Sequence, residues 1–198
     1  YWPRSSYEVG NPNLLPESSL NREVSIHREQ GDGHASLVYY QNSIKNLIQW
    51  NYDEVADFTS PVNVAHARLS GWTAVFSNSI GSYRYRMSLD VQNPEDSDTH
   101  KTLVYRAKEI LKIRGDKDMG PLNLGAEWTL SGKRYTDDLN TSSLGGYSLF
   151  NLYSSYKMSS DTSALVRINN VFNKTYTLVK GFATPRANVF AGLRFNLN

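Results

Sequence analysis

Tyr83-Arg84-Tyr85-Arg86-Met87-Ser88-Leu89-Asp90-Val91-Gln92 carries an apolar or aromatic residue at every odd position and a polar one at every even position. A period of two belongs to a β-strand, whose successive side chains point to opposite faces. Tyr83, Tyr85, Met87, Leu89 and Val91 therefore share one face, and Arg84, Arg86, Ser88, Asp90 and Gln92 the other.

The pattern recurs on both sides of this stretch. Leu20, Val24 and Ile26 alternate with Glu23, Ser25 and His27. Leu122, Leu124, Ala126, Trp128 and Leu130 alternate with Asn123, Gly125, Glu127, Thr129 and Ser131. Ala164, Val166 and Ile168 against Leu165, Arg167 and Asn169 is a looser copy, and Val189, Ala191, Leu193, Phe195 and Leu197 form a last one. About nine strands are expected, over residues 18–29, 33–50, 62–80, 82–93, 101–114, 121–135, 145–158, 162–172 and 187–197. Several reach the roughly 9–11 residues that a tilted membrane strand needs, against about 5–6 for a soluble one.

The connections alternate in length. Short turns are expected at 29–33, 80–82, 115–120 and 159–161, where Asp116 and Asp118 read as turn residues. Longer connections are expected near 51–61, 94–100, 136–144 and 173–186. Outer-membrane barrels have this asymmetry, with tight periplasmic turns and long extracellular loops.

Composition agrees. The 198 residues are 39% hydrophobic yet 12% aromatic, with 13 Tyr and 4 Trp. Such a balance suits strands with one lipid face, one wet face and aromatic edges. A net charge of +2 without a basic stripe speaks against a nucleic-acid partner. Cysteine is absent, so there is no disulfide framework. No stretch approaches the ~20 apolar residues of a membrane helix. The opening YWPRSSYEVG has neither Met nor an apolar core, so any export leader is expected outside this sequence.

Several motifs add a family resemblance. Gly10-Asn11-Pro12-Asn13-Leu14-Leu15-Pro16-Glu17-Ser18 stands just before the first strand, where Asn-Pro and Pro-Glu stop pairing and stiffen the chain. It resembles the GNPNLxPE(x)S element of TonB-dependent outer-membrane receptors. Asn170-Val171-Phe172-Asn173-Lys174-Thr175-Tyr176 resembles the family's N-(L/V)-F-(D/N)-K-x-Y element. Asn63, Ala67 and Gly71 resemble its N-x-x-x-A-x-x-x-G-x-E pattern, with Thr73 in place of the acidic residue, and Arg106-Ala107-Lys108 resembles a basic element on a later strand. Gly192-Leu193-Arg194-Phe195-Asn196-Leu197 resembles the terminal signal read by the barrel-assembly machinery, although the chain ends Leu197-Asn198 rather than on an aromatic.

The resemblance covers nearly the whole chain and looks most like the cobalamin and catecholate-siderophore receptors. It implies an all-β, antiparallel up-and-down transmembrane barrel. The chain would supply about nine C-terminal strands of a barrel with about 22, the kind whose lumen is plugged. Residues 1–17 are expected as an extracellular loop and 18–198 as strands, turns and loops. Nine strands alone would leave two unpaired edges in lipid, which is costly. A closing tenth strand at Tyr1–Gly10 is disfavoured by Pro3. The chain is therefore expected to be part of a larger barrel. Its implied partners are the missing N-terminal plug and earlier strands, the TonB protein acting through that plug, the assembly machinery, and outer-membrane lipid with lipopolysaccharide.

In that family, ligand binds at the extracellular mouth. The candidates here are Trp50, Tyr52 and Phe58, then Arg134 and Tyr135, then Tyr176, Lys180, Phe182 and Arg186, an aromatic and cationic set suited to a large aromatic or anionic ligand. The plainer reading puts Trp50, Tyr52, Tyr135 and Tyr176 in an aromatic girdle. Arg84, Arg86, Glu127, Arg167 and Arg194 are expected to face the lumen, either as a contact surface or as a hydrated wall of ion pairs. Glu95, Asp96 and Asp98, and Asp137 and Asp138, offer oxygens to Ca²⁺ but lack EF-hand spacing and read as solvated loop tips. His27, His34, His66 and His100 have no metal spacing, so neither a metal nor a cofactor is expected.

The leading function is thus barrel wall and part of the mouth of an outer-membrane importer for cobalamin or a ferric siderophore. The alternative is a small structural or pore-forming barrel. No catalytic residue is expected: an outer-membrane enzyme would have only His100 near Asp98 to work with. A soluble β-sandwich is the fold alternative.

Overall fold

The computed structural model describes residues 8–53 and 57–196. They form β1 (Ser18–Gln30), β2 (Gly33–Asp53), β3 (Phe58–Ile80), β4 (Tyr83–Asp96), β5 (Glu109–Met119), β6 (Leu122–Ser131), β7 (Arg134–Tyr135), β8 (Ser143–Leu144), β9 (Tyr147–Lys157), β10 (Thr162–Asn169) and β11 (Asn188–Phe195). The main sheet has nine antiparallel strands in the order β1-β2-β3-β4-β5-β6-β9-β10-β11, while β7 and β8 make a small separate hairpin. Each long strand pairs with the next in sequence, the up-and-down arrangement expected.

The pairing register sorts side chains into two faces. Directly opposed residues lie on the same face of a sheet. One ladder runs Val24, Tyr39, Trp72, Val91. The next runs Ile26, Leu37, Ala74, Leu89, Leu111, Leu130. A third runs Ala35, Phe76, Met87, Ile113, Trp128, Phe150. The opposite face carries the ladder Arg86, Arg114, Glu127, Asn151 and the ladder Arg84, Asp116, Gly125, Tyr153, Arg167.

The apolar face has no second layer against it. Val24 is 71% exposed, Trp72 49% and Val189 69%. A contiguous apolar surface of this size is not kept in water by a soluble monomer. The buried hydrophobics among the described residues are Leu47, Val64, Ala67, Leu69, Leu103 and Ala107, gathered toward the loop end of β2, β3 and β4. There is no sandwich core in such a set, which removes the β-sandwich alternative.

Several expected boundaries shift. β2 runs on to Asp53 and β3 begins at Phe58, so the long connection expected at 51–61 is mostly paired strand. Residues 101–108, expected as strand, are loop. Leu103, Tyr105 and Ala107 alternate there because Leu103 and Ala107 are buried anchors, while Tyr105 sits at φ 56°. The Arg106–Lys108 element accordingly lies before β5, not on a strand.

The turn expected at 115–120 lies at Gly120-Pro121 instead, with Gly120 at φ 61° in the first position that a two-residue hairpin of this kind requires. Asp116 and Asp118 are strand residues, and Asp116 is buried. The strand expected at 121–135 ends at Ser131, and the one expected at 162–172 ends at Asn169. Of the segment weighed as a tenth strand, residues 1–7 lie outside the described residues, and Glu8 makes a single parallel bridge to Thr59.

Candidate functional site

The polar face is built around Tyr153. Its hydroxyl donates to Asp116 Oδ1 at 2.7 Å, and Arg114 Nε donates to Asp116 Oδ2 at 2.8 Å. The Arg114 and Arg167 guanidinium groups lie 4.9 Å and 5.7 Å from the Tyr153 ring centroid. Arg167 is ion-paired with Glu127, which is also 3.8 Å from Arg114 Nη1. The ring occupies the space above Gly125, directly opposite it in register, where a Cβ would overlap it. An aromatic ring packed over a cross-strand glycine pins register.

All five residues expected to face the lumen lie on this polar face. Arg84, Arg86, Glu127 and Arg167 belong to its two ladders, and Arg194 opposes Ser163 two same-face steps beyond Arg167. Arg84 is paired with Asp118. Arg86 stands opposite Arg114. Asp116, Asp118 and Tyr153 were missed in the sequence because the first two resemble turn residues.

At the other end of the strands, the loops knit into one layer. Gln49 Nε2 donates to Asp138 at 2.8 Å, joining β2 to the loop between β6 and β9. Asn140 exchanges two hydrogen bonds with the Thr102 backbone, at 2.7 Å and 2.9 Å. Tyr105 N donates to the Tyr135 carbonyl at 2.8 Å. Arg134 Nη2 donates to the Thr177 carbonyl at 2.9 Å, and its guanidinium lies 5.1 Å over the Tyr147 ring. Tyr147 meets Tyr176 at 5.0 Å between centroids.

Asp137 caps its own turn, accepting from Thr141 N, Thr141 Oγ1 and Ser142 N. Those donors, the Thr141 backbone N–H first, hold its carboxyl below the ordinary value. Asp138 moves the other way, because burial disfavours its charge.

The mouth candidates therefore divide. Arg134, Tyr135 and Tyr176 are drawn together within the loop layer, with Arg134 only 6% exposed. Lys180, Phe182 and Arg186 stand on the exposed last loop, Phe182 at 70%, with Arg186 Nε donating to Asn173. Trp50 lies at the end of β2 opposite Pro61, and Phe58 opens β3. Tyr52 opposes Thr59, and its side chain lies outside the described residues. Among the described residues, no group of three or more His, Cys, Asp or Glu could hold a metal ion.

The motifs become joints in this layer. Asn63 Nδ2 donates to the Leu15 and Asn46 carbonyls, and Asn63 Oδ1 accepts from Leu15 N. Asn46, at φ 57°, reaches the Pro16 carbonyl, and Glu17 accepts from Ile48 N at 2.6 Å. The segment at Gly10–Ser18 is thus sewn onto the β2–β3 hairpin. Ala67 is 2% exposed, and a Cβ at Gly71 would come within 2.9 Å of the Tyr40 hydroxyl.

After β10, Asn170 is 4% exposed at φ 50° and closes its turn by bonding both the N–H and the carbonyl of Lys174. Asparagine is the non-glycine residue that best tolerates this left-handed backbone. Leu197, at the end of the terminal signal, lies outside the described residues.

Comparison with known proteins gives a consistent answer. The family described as TonB dependent receptor-like, beta-barrel, matches residues 2–171. The vitamin B12 transporter BtuB of Photobacterium profundum is 28% identical over 194 residues, covering 96% of this chain and 31% of that protein. The BtuB of Vibrio vulnificus is 27% identical over 176 residues, covering 89% and 28%. The chain thus spans under a third of the length of these relatives.

Among solved structures, the copper transporter OprC superposes with a TM-score of 0.76 at 17% identity, over 93% of this chain and 32% of that one. The siderophore receptor PirA from Acinetobacter baumannii superposes with a TM-score of 0.74 at 18% identity, over 95% and 33%. These relatives are transporters and receptors, not enzymes. The chain belongs to the TonB-dependent receptor-like β-barrel family.

Proposed function

We propose that this chain forms the wall and part of the extracellular mouth of an outer-membrane importer, taking up cobalamin or a ferric siderophore with energy delivered by TonB. The family match over residues 2–171 carries the reading, since it reaches from the mouth segment at Gly10–Ser18 to the end of β10. The apolar face is the lipid face and the Tyr153 face lines the lumen. There the wall needs a plug and further strands to complete it. The loop layer is the mouth. Within it Arg134, Tyr135 and Tyr176 hold the shape, while Trp50, Tyr52, Phe58, Lys180, Phe182 and Arg186 are the contacts offered to ligand. The relatives' names supply the ligand classes: vitamin B12, a siderophore, and copper as a third.

The test is uptake by cells that produce the protein, offered labelled cyanocobalamin and ferric enterobactin. One ligand should enter, and entry should cease in cells lacking TonB. Replacing Lys180, Phe182 and Arg186 with Ala should weaken binding without removing the protein from the outer membrane. A protein that binds neither ligand and conducts ions in planar bilayers without TonB would instead be the pore-forming barrel.

A further inference from the structure

The polar face carries more positive charge along the β4–β5 pair than its own carboxylates take up. Gln92 N donates to the Lys108 carbonyl, so Lys108 continues the polar face one pair beyond Val91–Glu109. Lys112 follows on the same face, opposite Ser88 and Thr129, and then Arg114, opposite Arg86. Among the described residues, Lys108, Lys112 and Arg86 have no ion-pair partner.

The carboxylates close to them are taken. Asp116 and Glu127 hold Arg114, and Asp118 holds Arg84. Asp90, between the two lysines in register, accepts from Thr73 Oγ1 at 2.7 Å. Arg86 and Arg114 are directly opposed, a like-charge pair that costs stability unless an anion joins it. A cavity of about 360 Å³ opens at that pair, lined by Asp32, Ser77, Asn78, Arg86, Arg114 and Asp116 among others. Each residue adds about 3.4 Å along an antiparallel strand, so the row from Lys108 to Arg114 covers about 20 Å of strand. No point along it lies more than about 7 Å from the base of a cationic side chain.

We infer that this row is the inward path of an anionic cargo, so that the chain serves an iron chelate of net negative charge. Each station takes an anionic oxygen of the chelate. Lys108 stands first, below the loop layer. Lys112 follows, with the Ser88 and Thr129 hydroxyls on the strands beside it. Arg86 and Arg114 come last, at the cavity. A single plug carboxylate would neutralise one station and leave the others, whereas a file of cations along one seam suits an anion that moves. The path rests on the importer reading above and narrows its ligand.

The test is uptake in cells producing the full-length receptor. The probes are ferric enterobactin, whose catecholates leave it anionic, and cyanocobalamin, which has no net charge. Wild type should import ferric enterobactin and need TonB. In R86Q/K112Q, binding at the cell surface should be unchanged while the import rate falls on the order of 10-fold, the low end of what a cleft lined by one sign of charge gives to passage of the opposite sign. R86K/K112R keeps the charge and should restore import, a rescue that loss of wall stability does not predict. Heat-modifiable mobility on gels checks that each variant is folded, and K112Q alone serves if the double variant is not. Unchanged import by the folded variants, surface binding lost in step with import, or import of cyanocobalamin in place of ferric enterobactin overturns the path. So does TonB-independent entry of a large antibiotic in R86Q/K112Q, which would mark these cations as anchors of the plug. Import of neither ligand, or import without TonB, overturns the reading the path rests on.

Discussion

Replacing Gly125 with Ala puts a methyl group where the Tyr153 ring lies. The neighbouring backbone is ladder-paired on both sides, so the ring is what moves. Its departure removes the hydroxyl bond to Asp116 and the two guanidinium stacks from Arg114 and Arg167. A hydrogen bond to a charged group contributes about 1.5–3 kcal/mol and each exposed cation–π contact about 0.5–1. Some of this returns when the freed groups meet water, leaving a loss of about 2–4 kcal/mol.

The assay is urea unfolding of the protein refolded into lipid vesicles, followed by tryptophan fluorescence and gel mobility. G125A should lower stability by that amount. Y153A should cost a similar amount, and the double variant scarcely more than either, because both changes remove the same interactions. Wild-type stability in G125A, or additive losses in the double variant, would refute the account of the Tyr153 cluster.

Other outcomes follow from the loop layer. N63A loses the bonds to Leu15 and Asn46 and should cost about 1–3 kcal/mol, seen as faster proteolysis within residues 10–17. N170A meets both a strained backbone and a lost clamp on Lys174, so it should expose the loop at 170–187 to protease while the strands stay protected. Asp137 has its pKa depressed by folding, so its contribution is present above the ordinary carboxylate value and lost as pH falls through the lower folded one. Amide exchange at Thr141 and Ser142 should therefore quicken across that acid window, and in D137N it should be fast already at neutral pH. Burial raises the pKa of Asp138, the opposite sign, so D138N should keep the Gln49 bond and slow exchange at neutral pH.

The alternation at Tyr83–Gln92 and its copies was enough to read the strands, their faces and their order, because period two is imposed by the backbone. Strand ends were less legible. Gly115-Asp116-Lys117-Asp118 has turn composition, yet Asp116 is held inside the sheet by Tyr153 and Arg114, the first of them far away in sequence. Leu103 and Ala107 mimic a strand because a folded loop can also bury every fourth residue. In the loop layer, family motifs located Asn63 and Asn170, but only the structure gives their work as clamps. Asn46 and Asn140 belong to no family motif, and their left-handed backbone is visible only in the structure. Arg134 reads as a ligand contact in the sequence because it is cationic; its burial and its place over the Tyr147 ring carry no sequence signal.

The central claim is that one face of this sheet meets lipid. The sequence has no Cys, so single cysteines can be placed along β4 without background. M87C, L89C and V91C, each labelled with a small fluorophore in the folded protein, should be quenched by brominated lipid and spared by aqueous iodide. R86C, S88C and D90C should show the reverse. Equal iodide quenching at all six positions, or lipid quenching of the even-numbered set, would contradict the account.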